Sequence, residues 1–433
     1  MPLSRQTTHL AESGAPPVGY WELLRSNRDY RYLWSGQIVS LLGDWFNLIA
    51  SASLVSTLTG SGLAVGGLFV VRMLAPFLIS PVAGLMADRF DRRRLLIATD
   101  IARALTVLGF LLVREPSHVW LLYTLTAIQL AISGVFFPAR NAILPDIVAD
   151  EELGAANALS SATWSVMLAV GAALGGLVAG GWGLYPAFII DSATFGLSAL
   201  LIAQIGRTGG GVIETGGSQI RQAFLQYVEG LRYLWDRPGI LLIASSKMAM
   251  GLTVSGAFEV LQVTLAEDVF RIGAGGSTGL GLLYMVAGLG TGLGPILARR
   301  ITGDNVSRLR VALPIAFAMA SLGLWVIAPI QSFGWVLFGG ALRAVGTGVN
   351  WVMSTQLLLM LVPNRVRGRV FASEFALFTL GTAISAGGVG WLLDNTALGL
   401  SGVLGLFALA PLVPVVLWSV WLMRSPTPVS EQP

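Results

Sequence analysis

The sequence predicts an all-α integral membrane protein of twelve transmembrane helices, arranged as two six-helix bundles. Three observations carry this. Of 433 residues, 54% are hydrophobic and only 12% charged, half the charged share of roughly 25% expected of a soluble chain. The apolar residues fall into twelve runs, each long enough to cross a bilayer as a helix at about 1.5 Å per residue. The basic residues gather on one side of those runs. With the N terminus inside, 21 of the 27 Lys and Arg lie in cytoplasmic segments, two (Arg114 and Arg271) lie outside, and four lie within spans. Such an imbalance orients the chain with both termini in the cytoplasm.

In chain order, residues 1–31 read as a cytoplasmic tail that ends in an interfacial segment. There Trp21, Leu23 and Leu24 alternate with Arg25, Arg28 and Arg31, a pattern suited to the membrane surface. This polar start shows no cleavable signal peptide. An N-terminal bundle over 32–205 holds spans 32–57, 62–86, 95–113, 119–137, 155–180 and 186–205. A cytoplasmic loop over 206–239 opens on Gly209-Gly210-Gly211, a flexible joint. It continues with Ile220, Phe224, Val228, Leu231 and Trp235 at helical spacing, an amphipathic helix. A C-terminal bundle over 240–423 holds spans 240–261, 276–298, 311–328, 333–361, 370–393 and 400–423, and 424–433 forms a cytoplasmic tail.

Composition excludes several functions. The zero cysteine count removes disulfides, thiol nucleophiles and cysteine-based metal sites. His9 and His118 have no neighbour at metal-ligand spacing, so neither a metal nor a cofactor is expected. The net charge of +4 lies in scattered short loops rather than in one patch, which argues against nucleic acid. No nucleotide-binding loop or nucleophile elbow occurs, so the chain does not read as an enzyme and ATP does not drive it directly.

The most specific stretch is Gly84-Leu85-Met86-Ala87-Asp88-Arg89-Phe90-Asp91-Arg92-Arg93-Arg94, a dense charged turn between the second and third spans. Its order, Gly-x-x-x-Asp-Arg-x-x-Arg-Arg, resembles the signature of the major facilitator superfamily at that position. The halves echo each other. Gly84-Leu85-Met86-Ala87-Asp88-Arg89 has a weak partner 210 residues later in Gly294-Pro295-Ile296-Leu297-Ala298-Arg299, as parallel repeats would give. Ala298 replaces the acidic residue, so only the first copy is expected to work fully. Gly36-Gln37, Leu42-Gly43-Asp44, Phe137-Pro138-Ala139-Arg140, Leu144-Pro145-Asp146 and Arg367-Gly368-Arg369-Val370-Phe371 resemble the branch of enterobactin, macrolide and multidrug exporters. That branch implies a proton-coupled drug antiporter in the cytoplasmic (inner) membrane, acting as a monomer. Helix five departs from the drug-antiporter pattern, with Ala172 in the place of its proline.

The resemblance gives Asp88 a role. With Gly84, Arg89, Arg92 and Arg93 it forms a cytoplasmic gate, its carboxylate favoured at the N-terminus of helix eleven near Val370. The alternative is a solvated turn charge.

Charge at membrane depth is the remaining signal, because it costs at least about 2.5–3.5 kcal/mol and normally faces a cavity or a partner. Asp44 stands thirteen residues into its run, roughly 20 Å from its start, and is the acidic residue placed nearest the bilayer centre. It is either a proton-exchanging group or the partner of Arg72 in a structural ion pair locking helices one and two. Arg72, Arg103, Lys247 and Arg343 are similarly deep, and Lys247 is the chain's single lysine. For Arg103, pairing with Asp100 or snorkelling is favoured over substrate contact; for the others substrate contact and structural pairing stand level. Asp191, Glu259 and Glu374 are placed near span ends as caps or interfacial partners, Glu374 with the arginines preceding helix eleven. Trp45 and Trp351, with Trp164 and Trp391, are candidates for an aromatic cavity, with lipid-facing positions equally open. If Asp44 offsets Arg72 and Asp100 offsets Arg103, Lys247 and Arg343 remain unpaired, which points to an anionic or zwitterionic amphiphilic substrate.

The reading is a secondary active exporter of an amphiphilic small molecule, drug-like, siderophore-like or lipid-like, working by alternating access. The alternatives are an importer or uncoupled facilitator of a small anionic solute and, more remotely, a non-transporting receptor or enzyme.

Overall fold

The computed structural model describes residues 19–206 and 232–424, without the side chains of Pro81, Gly84, Leu85, Ala87, Asp88, Asp150 and Arg365. Twelve helices in this part are long and apolar enough to cross a membrane. A short helix, Tyr20–Ser26, precedes α1 (Arg28–Thr59). The first bundle continues with α2 (Gly62–Arg89), α3 (Arg92–Leu108, extended by a 3-10 turn), α4 (Val119–Ile147), α5 (Asp150–Trp182) and α6 (Leu184–Ile202). The second holds α7 (Pro238–Phe270), α8 (Ser277–Thr302), α9 (Val306–Ile327), α10 (Phe333–Leu361), α11 (Asn364–Asn395) and α12 (Gly399–Arg424).

The helix ends follow local chemistry. Asn27, Ser61, Asp91, Asn305 and Ser332 each accept a hydrogen bond from the backbone N–H three residues on, satisfying donors that a helix start leaves free. Gly60 ends α1 in the left-handed region at φ 59°, where a side chain would be strained.

Several helices outrun their apolar spans. The fourth was expected to end at 137; α4 runs to Ile147 with Pro138 and Pro145 inside it. Arg140 is therefore a buried helical residue and not a loop charge. Likewise α2 carries the turn motif in its last helical residues and stops at Arg89. The expected amphipathic helix over 220–235 lies mostly outside the described residues.

The two bundles meet along α2 against α11 and α5 against α8. Within the second bundle α10 packs against α8, α9 and α7, while α7 packs against α10 and α11 and touches α1 and α2 of the first bundle. Val349, Met353 and Leu357 of α10 share a core with Leu309, Leu313 and Ala316 of α9.

The seam is sealed at the end away from the arginine-rich turns. There α5 and α8 approach so closely that a Cβ on Gly176 would stand 2.7 Å from Gly281 Cα. Ser277 Oγ donates to Ser53 Oγ at 3.0 Å, and Thr278 Oγ1 to the Gly176 carbonyl at 3.1 Å. Asp394 of α11 accepts from Ser61 Oγ and from the Gly62 and Leu63 amides. The side-chain hydrogen bonds described between the bundles lie at this end.

Candidate functional site

Polar groups gather between the bundles at mid-helix, and α1 is their axis. Asp44, near the middle of α1, lines a cavity with Gln37, Ser40, Leu41, Arg103, Phe136, Phe137 and Arg140. Gly43 beside it lets α6 come close, since a Cβ there would meet Asp191 and Thr194. Asp191 is fully buried and faces α1, so it is no interfacial cap; Asp44 has a second carboxylate beside it. Arg72 makes no direct ion pair with Asp44. It lies within electrostatic reach of Asp44 and Asp191 from its own bundle and of Glu259 from the other. One cation thus answers carboxylates of both halves.

Arg103 belongs to the framework. Its guanidinium donates to the Asp100 carboxylate and is stacked between the rings of Phe136 and Phe195, each 4.2 Å away. It is 1% exposed. Arg140 is held by the Gln37 side-chain oxygen and by Ser160 Oγ at 2.6 Å.

The second bundle brings two further clusters. Glu259, expected near a span end, accepts from Tyr284 Oη and, at 3.0 Å, from Gln262 Nε2. The Tyr284 ring lies 5.5 Å from that of Trp45, so these aromatics join the bundles at mid-membrane. Arg343 lies over the Phe258 ring at 4.0 Å, within electrostatic reach of Glu259.

Lys247 overturns the expectation that it lacks an acidic partner. Its Nζ is 3.0 Å from Glu374 Oε1 and donates to Thr355 Oγ1 at 2.8 Å. It also stands 4.3 Å from the centroid of Trp351. Glu374 therefore pairs across helices, not with the arginines before it on α11. The preference for an anionic substrate loses its premise, because one of its two free cations is neutralised.

In the turn motif, Arg92 donates to both carboxylate oxygens of Asp146 at 3.0 and 2.8 Å. Arg93 donates to the Ala203 carbonyl, and Arg89 is exposed. These bonds tie the turn to α4 and to the end of α6, within the first bundle. Gly84 and Asp88 fall in the last turns of α2, and the Asp88 side chain lies outside the described residues.

The structure thus brings Asp44, Arg72 and Trp45 together at the seam and puts Lys247 with Trp351 in one cluster. Arg343 lies deeper along α10, and Arg103 is packed within the first bundle. Sequence reasoning missed Asp191, Glu259, Tyr284, Glu374 and Arg140 as members of these clusters. For the acids the available signal was an ionised side chain inside an apolar run, which rarely survives without a partner.

A family model, the Major Facilitator Superfamily, matches residues 33–301, more than half of the chain. An uncharacterized MFS-type transporter of Bacillus subtilis, YfiS, is 28% identical over 381 residues, covering 86% of this chain and 88% of its own. The putative bacilysin exporter BacE of the same organism is 26% identical (82% of this chain, 86% of its own). The macrolide efflux protein A of Streptococcus pyogenes is 23% identical (81% and 86%). The fold matches the solved nucleoside transporter NupG with a TM-score of 0.73 at 12% identity, over 90% of this chain and 99% of that one. Twelve membrane-length helices in two six-helix bundles, a turn motif in place and a matching family model make the chain a member of the Major Facilitator Superfamily.

Proposed function

We propose that the chain is a proton-coupled exporter of an amphiphilic small molecule, working by alternating access as a monomer in the cytoplasmic membrane with both termini inside. One observation carries the reading. The hydrogen bonds described between the bundles gather at the end away from the basic turns, and ionisable side chains of both bundles converge at mid-seam. A seam closed at one end, with charges shared across it, is the arrangement a rocking transporter needs. With the basic turns cytoplasmic, the sealed end is the outer one. Relatives named as exporters of bacilysin and macrolides favour export over import.

In this reading Asp44 exchanges the coupling proton beside Arg72, and Trp45, Trp351, Lys247 and Arg343 belong to the substrate path. Arg103 holds the first bundle together. Asp88, with Gly84, Arg89, Arg92 and Arg93, closes the cytoplasmic side in the opposite state; in the present state Arg92 is engaged by Asp146.

The test is uptake of a panel of amphiphiles into inside-out vesicles, with and without an imposed proton gradient. Gradient-dependent accumulation of at least one compound is expected. Equal uptake with the gradient collapsed removes the coupling, and accumulation only in right-side-out vesicles reverses the direction.

A further inference from the structure

The surroundings of Lys247 read as a binding site for an ammonium group that the chain fills with its own side chain. Four features make the site. Glu374 from α11 supplies a carboxylate 3.0 Å from Nζ, and Thr355 from α10 supplies a hydroxyl oxygen at 2.8 Å. Trp351, one turn before Thr355, presents its ring face at 4.3 Å. Phe378, one turn beyond Glu374, meets that ring edge-on at 5.1 Å. A carboxylate, a hydroxyl and an aromatic face around one nitrogen satisfy an alkylammonium's charge and hydrogen-bonding needs.

The aromatic rim of the box lies on the exposed side of α10 and α11. Trp351 and Thr355 lie on the side of α10 opposite Val349, Met353 and Leu357, which pack against α9. Trp351 is 41% exposed and Phe375 beside it 53%, while Lys247 and Glu374 are buried beneath them. Among the described residues the ionisable partner facing Lys247 is Glu374: the Pro238–Met250 segment carries no other charged residue, and Arg343 stands two turns from Trp351 on α10. Lys247 is also the only lysine in the chain, although arginine occupies the other deep basic positions. Arginine is effectively locked in its charged form, whereas a buried lysine can give up its proton.

We infer that this box is a substrate subsite for amine-bearing amphiphiles, in which an incoming ammonium replaces Lys247 at Glu374 while Lys247 releases a proton. The balance closes: an alkylammonium and the Lys247–Glu374 ion pair become an alkylammonium–Glu374 pair, a neutral Lys247 amine and one free proton, with net charge unchanged. The N–H bond of Lys247 breaks, its electron pair stays on nitrogen, and the proton passes to water. The alkyl or aryl body of the substrate lies against Trp351 and Phe375. The inference rests on the exporter reading and narrows its substrate to a class.

The probe is dansylcadaverine, a fluorescent primary amine with an apolar body, set against its neutral N-acetyl derivative. The full chain is reconstituted in nanodiscs in weak buffer containing a pH dye. Binding of the amine with proton release is expected, and the N-acetyl derivative should bind about tenfold or more weakly, as loss of a charged hydrogen bond implies. Glu374→Gln should weaken the amine by a similar factor. Lys247→Met should tighten it, by removing the occupant, and should abolish proton release. Because each single variant leaves a buried partner bare, the Lys247→Met/Glu374→Gln double variant serves as the folded control, and it should not distinguish the two probes. Equal binding of both probes, or amine binding that Glu374→Gln leaves unchanged, overturns the assignment, as does amine binding without proton release. Inside-out vesicles separate this from the exporter reading. Bound amine that is never accumulated leaves the site standing and sinks export; accumulation of other compounds, indifferent to Glu374→Gln, sinks the site and leaves export.

Discussion

Asp394, at the end of α11 in the second bundle, caps α2 of the first. Its carboxylate accepts from Ser61 Oγ at 2.6 Å and from the Gly62 and Leu63 amides at 2.8 and 3.0 Å. A carboxylate at a helix N-terminus is favoured by the free amides and by the helix dipole. Here the cap comes from the other bundle, so it exists only while this end of the seam is closed. Asp394→Ala should therefore cost the closed seal about 1 kcal/mol, a shift of roughly fivefold toward the state open at this end. The natural chain has no cysteine, so Ala172→Cys, at a buried position in the α5–α8 seam, is a clean reporter. Maleimide labelling from the side of the seal should quicken in the Asp394→Ala background. Unchanged labelling means the cap does not hold the gate.

The glycine crossing gives a stronger version of the same test. A Cβ on Gly176 would stand 2.7 Å from Gly281 Cα and 2.8 Å from the Ser277 carbonyl, both backbone atoms that cannot swing away. Gly176→Val should oppose closure by about 1–3 kcal/mol, the range for forcing extra atoms into packed space. Transport should fall while each bundle keeps its own core. Normal transport with normal thermal stability would show that α5 and α8 can part here without consequence.

Arg103 separates a framework charge from a functional one. It is clamped by Asp100 and two aromatic rings, so Arg103→Ala strands a buried carboxylate at a cost of about 3–5 kcal/mol. Yield of monodisperse protein and its melting temperature should both drop. Replacing the pair together, as Asp100→Asn with Arg103→Met, should recover most of that loss and retain transport. If the double variant is stable but inactive, Arg103 works on the substrate or the proton.

Legibility in the sequence divided along a physical line. Span count, the two-bundle plan and the turn motif depend on runs of apolar residues and on local charge, which a linear chain displays directly. The Asp100–Arg103 pairing was also visible, since three residues apart on a helix means the same face. The Lys247–Glu374 pair was not, because it depends on the rotational phase of two helices far apart in the chain. The same holds for Asp191 beside Asp44 and for Tyr284 on Glu259. Arg140 was misplaced for a different reason. Pro138 and Pro145 are strong loop signals, yet both sit inside α4, and the arginine between them is held by Gln37 and Ser160.

The last prediction concerns coupling, where two carboxylates now compete. Asp44 lines a cavity and answers to Arg72 and Arg103. Asp191 is fully buried against Gly43 and lies within electrostatic reach of Asp44. A proton must reach its carrier from water in each state of the transport cycle, and that favours the residue on the cavity wall. Asp44→Asn keeps the size and one hydrogen-bonding oxygen while removing the titration, so the fold should survive. Accumulation against a gradient should fall to simple equilibration, while exchange of labelled for unlabelled substrate, which moves no net proton, continues. Asp191→Asn should leave gradient-driven accumulation largely intact and act on stability instead. The reverse pattern, accumulation retained in Asp44→Asn and lost in Asp191→Asn with exchange still running, moves the coupling site to α6. Loss of both accumulation and exchange in Asp44→Asn, with a normal melting curve, makes Asp44 a substrate contact and not the proton carrier.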